Sequence, residues 1–436
     1  MGTNLQAFLD RYFGLTSHGT NVRTELLAGV TTFLSMAYIT VVNPAILSDA
    51  GMDFGAVFVA TCIAAAVGSL IMGVWANYPI AQAPGMGQNA FFTYGVVLGL
   101  GHTWEAALGA VLVSGVIFVI LSILPVREWL INAIPKNLKL GISAGIGLFL
   151  GFIAMKNAGI VVDNPATLVS FGDLSTAAPL ICLGAFVLIA ALSARGMTGA
   201  VIIGMLVATI LGVLAGEAEY KGLISTPPSI EPVLFKFDLM AVLDVSMVTV
   251  IITMLLVDVF DTAGTLVGVA NRAGLTDEDG KLPRLGKALI SDSTATVVGA
   301  VAGTSSTTSY IESAAGVESG GRTGLVAVAV AGLFLLCIFL APLAQTIPAY
   351  ATAAALLFVA CIMARSLADI DWEDLTESAP AIVCALGMPL SFSIADGIGL
   401  GFVTYVAIKV LSGKAAECPG AVYVIALIFL GKFLLL

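Results

Sequence analysis

Residues 249–263 read TVIITMLLVDVFDTA, and half of the 436-residue chain earlier residues 31–45 read TTFLSMAYITVVNPA. Aligned, Ser35 meets Thr253, Met36 meets Met254, Val41 meets Val259 and Ala45 meets Ala263, while Thr40 and Asn43 meet Asp258 and Asp261. Both stretches are apolar enough to lie in hydrocarbon. A charge at that depth costs ~2.5–3.5 kcal/mol on insertion scales, so the two aspartates mark a functional position. The second half carries acids where the first carries neutral polar groups.

The surrounding composition fits that reading. Hydrophobic residues make up 59% of the chain and charged residues 11%, with a mean hydropathy of +1.04. Soluble domains average about 25% charged residues, so the composition specifies a polytopic membrane protein. The 47 glycines suit helices that approach closely in lipid. The 18 Lys and Arg are scattered without a basic run, which leaves no footprint for nucleic acid. Six cysteines form no CxxC pair, and two histidines are too few for a zinc site, so neither a metal nor another cofactor is expected. With two histidines and no zinc site, no enzyme is expected.

Apolar segments that can cross ~30 Å of hydrocarbon, or part of it, fall into two sets of seven. The first is 25–43, 56–76, 86–100, 104–124, 138–155, 177–193 and 198–216; the second is 243–267, 287–302, 307–319, 323–345, 349–366, 376–392 and 394–412. A leftover stretch, 420–435, contains Lys432 and is expected as an interfacial or partial helix. No cleavable leader is apparent; Leu5, Phe8, Leu9, Tyr12 and Phe13 instead recur at helical spacing, as in a short interfacial helix. With the N-terminus in the cytoplasm, Lys156, Lys221 and Lys236 fall outside, Lys432 is unassigned, and the remaining basic residues, Arg127 and Lys281 among them, fall inside.

Segments 86–100 and 307–319 are short and rich in Gly, Ser and Thr, so they read as broken helices. They also correspond between the halves, YGVV (94–97) against AGVE (315–318). Seven is odd, so the second half enters the membrane upside down. Inverted repeats with interrupted segments at matching positions are the signature of a secondary transporter and point to its binding site.

Asp258, Asp261 and Glu312 are the deepest acids. The two aspartates lie about 60° apart on one helix face and, with Glu312, predict a shared polar pocket between the eighth and tenth spans. Burial favours the neutral form of a carboxyl group, which suits a proton carrier. Asn89, in APGMGQNAFFTYG (83–95), can donate and accept; Phe91, Phe92 and Tyr310 can stack on a flat ring. Asp292 reads as a structural hydrogen-bond partner. Gly141, Gly145, Gly147 and Gly151 read as helix-packing positions.

VTTFLSMAYITVVNP (30–44), APGMGQNAFF (83–92), DVFDTAGTL (258–266) and GTSSTTSYIESAAGVESGGRTGL (303–325) resemble the hypoxanthine–adenine–guanine permeases, a branch of the nucleobase–ascorbate transporter superfamily, or nucleobase/cation symporter family 2. The resemblance covers almost the whole chain. It implies fourteen spans in two intertwined inverted repeats, with short strands before half-helices in spans 3 and 10. It further implies an N-terminal segment (1–24), a core (25–124 and 243–345), a gate (125–242 and 346–412) that forms a homodimer contact, and a C-terminal apolar segment (413–436). Substrate would meet Asn89, Asp258 and Glu312, with the backbone around Phe91, Phe92, Ser309 and Tyr310. Asp258, Asp261 and Glu312 would couple the proton, with Asp258 in the pocket and Asp261 in support. Gln88 stands where the motif pattern carries an apolar residue.

The expected function is therefore import of adenine, guanine or hypoxanthine with protons across the inner or plasma membrane, by an elevator-like movement. The alternatives are a pyrimidine or xanthine symporter of the same fold and an anion exchanger, which would require a basic residue at mid-membrane.

Overall fold

Polar side chains mark where the spans begin. Asn21, Asp53, Thr103, Asp244, Asp374 and Ser393 each accept a backbone N–H from the first turn of the helix that follows. The computed structural model describes residues 2–124, 134–276 and 282–435. Arg127 and Lys281, placed inside by the charge count, lie outside the described residues.

The first half comprises α1 (Gly2–Phe13), α2 (Val22–Met36), α3 (Ile39–Asp49), α4 (Phe54–Ile71), β1 (Gln82–Pro84), α5 (Met86–Ala90), α6 (Trp104–Ile123), α7 (Lys136–Asn157), β2 (Val161–Asn164), β3 (Leu168–Phe171), α8 (Ala177–Ala194) and α9 (Ala200–Leu214). The second comprises α10 (Val245–Arg272), α11 (Leu285–Ala302), β4 (Thr307–Ser309), α12 (Ser313–Glu318), α13 (Leu325–Cys337), α14 (Ala341–Thr346), α15 (Ala349–Ala364), α16 (Leu375–Ser391) and α17 (Ile394–Leu411), followed by α18 (Gly420–Leu435). The expected segments all appear. The first is broken between Met36 and Ile39, and α5 runs on into wider π-helical turns over Phe91–Gly99.

The packing repeats across the halves. Helix α13 packs on α4 as α6 packs on α11, and α13 packs on α2 as α6 packs on α10. Likewise α16 packs on α7 as α8 packs on α15, while α4–α11 and α7–α15 pair across the pseudo-twofold axis. Small residues allow this. Gly141 and Gly145 face Ala381 and Ala385 of α16, and Gly147 and Gly151 face Ala360 of α15.

The two short strands are the centre of the fold. β1 and β4 pair antiparallel, with Gln82 opposite Ser309, Ala83 opposite Thr308 and Pro84 opposite Thr307. Gly85 N–H to Ser306 O (2.9 Å) and Tyr310 N–H to Ala81 O (3.0 Å) extend the ladder. Non-helical backbone in a membrane must satisfy its polar groups internally, and each repeat supplies the other's partner.

Two features add to the sequence reading. The connection after α7 folds as the β2–β3 hairpin, because Asn164 Oδ1 accepts N–H groups from Ala166 and Thr167 and closes the turn. The leftover stretch 420–435 is a continuous helix packed along α17, and Lys432 pairs with Asp396 at 2.6 Å.

Candidate functional site

The helices leave a cavity of about 1640 Å³ that opens where Lys136, Lys139, Arg272 and Arg365 lie. At the strand pair it is walled by Tyr38, Gly85, Thr308, Ser309, Asp261 and Glu312. The break between α2 and α3 turns Tyr38 toward α12, and its hydroxyl donates to Glu312 Oε1 at 2.5 Å. The Tyr310 hydroxyl donates to Pro84 O at 2.5 Å, which holds the two strand ends together.

The pair that drew attention in the sequence divides its work. Asp261 lines the cavity and is exposed there, whereas Asp258 is 1% exposed and does not line it. This reverses the expected arrangement of Asp258 in the pocket and Asp261 behind it. A rotation of about 60° along α10 suffices to turn one side chain to the opening and the other into the packed interior.

Asp258 Oδ1 accepts from Gln88 Nε2 at 2.9 Å, and Oδ2 lies 3.0 Å from Thr296 Oγ1. Asp292, fully buried, accepts from Thr262 Oγ1 (2.6 Å), Ser309 Oγ (2.7 Å) and Gln82 Nε2 (3.1 Å). It anchors β1, β4 and α10 to α11, as its reading as a structural partner required. The Thr262 proton is committed to Asp292, so Thr308 Oγ1, 2.9 Å away, donates to Thr262.

Other expected ligand residues are turned away from the opening. Asn89 is fully buried and accepts from Ser305 Oγ, tying α5 to the loop before β4. Phe91 and Phe92 are 2% and 0% exposed and pack in the main apolar cluster. Their positions on the wide turns of α5 direct them into the protein, so direct stacking by these rings is not the geometry present. Ser309, Tyr310 and Glu312 do line the cavity, although the Ser309 hydroxyl is engaged by Asp292.

Sequence reasoning passed over Tyr38, Gly85, Thr296 and Thr308, and saw Gln88 only as a departure from a motif. A buried amide at membrane depth was the available signal for Gln88. Nothing local distinguishes Tyr38 from a packing aromatic. Glu25 was likewise missed: fully buried at the start of α2, it accepts from Arg322 N–H (2.8 Å), Thr323 N–H (3.1 Å) and Thr323 Oγ1 (2.6 Å).

Comparison with known proteins follows the same lines. A family model described as "Permease family" matches residues 23–400. The adenine permease AdeP of Escherichia coli is 48% identical over 430 residues, covering 99% of this chain and 97% of its own. The guanine/hypoxanthine permease PbuO of Bacillus subtilis is 44% identical over 425 residues, covering 96% of this chain and 98% of its own. Among solved structures, the transmembrane domain of the cyanobacterial bicarbonate transporter BicA matches with a TM-score of 0.67 at 16% identity, over 86% of this chain and 97% of that one, a likeness of fold. The four motifs, the paired strands and these end-to-end matches agree: the chain belongs to the permease family, on the hypoxanthine–adenine–guanine permease branch of the nucleobase–ascorbate transporter superfamily.

Proposed function

We propose that this protein imports purine nucleobases with protons by alternating access. The observation that carries the reading is a cavity open on one face that ends at two acids, Asp261 and Glu312, beside paired strands from opposite repeats. Purines offer N–H donors to such carboxylates and a flat face to the Tyr310 ring. AdeP and PbuO, matched end to end, are named for adenine and for guanine and hypoxanthine.

Glu312 and Tyr38, with the backbone at Ser309 and Tyr310, take the ring, and Asp261 stands at its entrance. Asp258 carries the proton. Thr296 Oγ1 is 3.0 Å from Asp258 Oδ2 and 2.9 Å from Thr307 O, but a hydroxyl has one proton to donate. When that proton goes to the Thr307 carbonyl, the contact with Asp258 is a hydrogen bond only if Oδ2 is itself protonated. The network thus has a place for one extra proton without rearrangement.

The moving part is the core, 25–124 with 243–345, sliding against the gate, 125–242 with 346–412. Support comes from the cavity, whose wall combines residues of both groups, while the dense helix packing lies within each group. The gate would form the homodimer contact in the plasma or inner membrane. Lys136, Lys139 and Arg365 line the cavity beside Asp369 and the Arg272–Glu318 pair; with the N-terminus expected in the cytoplasm, the reading makes this conformation inward-open. An anion exchanger is disfavoured, because the charged groups at the strand end of the cavity, Asp261 and Glu312, are acidic.

The test is uptake of labelled adenine, hypoxanthine and uracil in cells stripped of their own nucleobase carriers, with and without a protonophore. Purine uptake that collapses with the proton gradient supports the reading. Uracil uptake alone sinks the purine assignment, and purine uptake indifferent to the protonophore sinks the coupling.

A further inference from the structure

Helix α7 runs from Lys136 at the cavity mouth to Asn157, about 30 Å away. Ile142, Ile146, Phe149, Ile153 and Asn157 recur on one face of it at helical spacing. Ile142 and Ile146 line the cavity, whereas Phe149 and Ile153, further along, are buried in the main apolar cluster. The opening along α7 therefore stops short of the far end.

At that end Tyr94, a core residue, is held by the gate. Its hydroxyl donates to Asp49 Oδ2 at 2.6 Å, which commits its one proton. The hydroxyl oxygen then accepts from Asn157 Nδ2 at 3.3 Å. The Tyr94 ring stands edge-on to Phe392, with centroids 6.0 Å apart. Phe149 and Phe152 meet the Phe392 ring edge-on at 5.3 and 5.8 Å, and Lys156 Nζ lies 5.0 Å over it. Such edge contacts and a cation over a ring face are attractive.

Phe392 holds a position where the backbone favours glycine. It ends α16 at φ +55° and ψ +30°, left-handed values that are costly for a residue with a Cβ. The ring is kept there against that cost, and its contacts are with α7 and Tyr94. The Tyr94–Asp49 bond lies within the core and would travel with it. The contacts of Tyr94 with Asn157 and Phe392 cross to the gate, and sliding of the core would break them.

We propose that Tyr94, seated against Asn157 and Phe392, is a latch that holds the far side of the transport route shut while the cavity mouth is open. The proposal rests on the alternating-access reading above and assigns residues to its closed side.

The experiment is initial uptake of labelled adenine by intact cells over a range of outside concentrations, for the wild type, Asn157→Ala and Phe392→Gly. Asn157 sits at the exposed end of its helix, and glycine suits the backbone at position 392, so both variants should reach wild-type abundance. An outside ligand binds only the fraction of protein open to the outside, so apparent affinity scales with that fraction. Losing one hydrogen bond or ring contact of the latch should raise the fraction about fivefold and lower the half-saturating adenine concentration by the same factor. Damage to packing alone would weaken uptake instead. A half-saturating concentration unchanged or raised in both variants overturns the latch and leaves transport intact. A second measurement does not depend on uptake: Ile153→Cys places a thiol between the cavity and the latch, and Asn157→Ala should speed its reaction with a membrane-impermeant maleimide about fivefold. An unchanged rate overturns the latch. A wild type that takes up no purine overturns the transport reading, and the maleimide rate then judges the latch by itself.

Discussion

Tyr38 and Glu312 meet at 2.5 Å, a hydrogen bond between the broken first span of one repeat and the half-helix of the other. The contact fixes one carboxylate oxygen of Glu312 at the polar end of the cavity.

Tyr38→Phe removes that donor without changing the ring. A hydrogen bond to a charged group contributes ~1.5–3 kcal/mol, so nucleobase affinity should fall about tenfold or more. Titration of the purified variant with adenine reads this directly. Unchanged affinity would show that Glu312 is held by other means.

Asp258 and Asp261 should separate in their phenotypes. Asn at position 258 still accepts from Gln88, so Asp258→Asn should bind purine within a fewfold of wild type yet lose protonophore-sensitive accumulation. Asp261→Asn should chiefly weaken binding from the open side. Accumulation by Asp258→Asn equal to wild type would move the proton elsewhere.

Glu25→Ala leaves two backbone N–H groups and the Thr323 hydroxyl without their acceptor. Each orphaned buried group costs ~1–3 kcal/mol, and Glu25→Gln should recover part of the loss. Thermal unfolding in detergent should rank wild type above Gln above Ala. An Ala variant as stable as wild type would mean that water replaces the carboxylate.

Gly73, in the wide turn Met72–Ala76 after α4, and Gly324, just before α13, bring their backbones into direct contact, and a side chain on either would collide with the other's backbone. Gly324→Ala should therefore destabilise by ~1–3 kcal/mol or more, because backbone, unlike a side-chain tip, cannot give way. A melting temperature within error of wild type contradicts the packing.

Asp374 caps α16 from outside the span. Its bonds from Thr376, aided by Lys414, hold its carboxyl down to about 2. A carboxyl depressed on folding stabilises above its unfolded value of ~3.9 and loses that contribution as pH falls through the folded value. The stability difference between wild type and Asp374→Asn should thus be constant from neutral pH to about pH 4 and vanish toward about pH 2. A difference already lost at pH 5 would rule out the depressed carboxyl.

How far the sequence reaches is clear from single residues. Spacing alone made Gly141, Gly145, Gly147 and Gly151 helix contacts, and each faces a neighbouring helix. Charge at depth singled out Asp258, Asp261 and Glu312, which do gather around one cavity and its wall. Hydrogen-bonding capacity and aromaticity singled out Asn89, Phe91 and Phe92, which the structure turns away from the opening, because the direction of a side chain on a short, irregular helix depends on where that helix is docked. Sequence reading missed Tyr38 because its partner is 274 positions away.

The sequence by itself determined a membrane protein of two inverted repeats, since hydropathy and internal similarity are properties of the chain read locally. Only the tertiary structure decided which aspartate sees the cavity, because about 60° of helix rotation has no meaning until the neighbours are in place. It also decided that β1 and β4 complete each other. Each strand carries unpaired N–H and C=O groups that lipid cannot satisfy, and the partner that satisfies them comes from the other repeat.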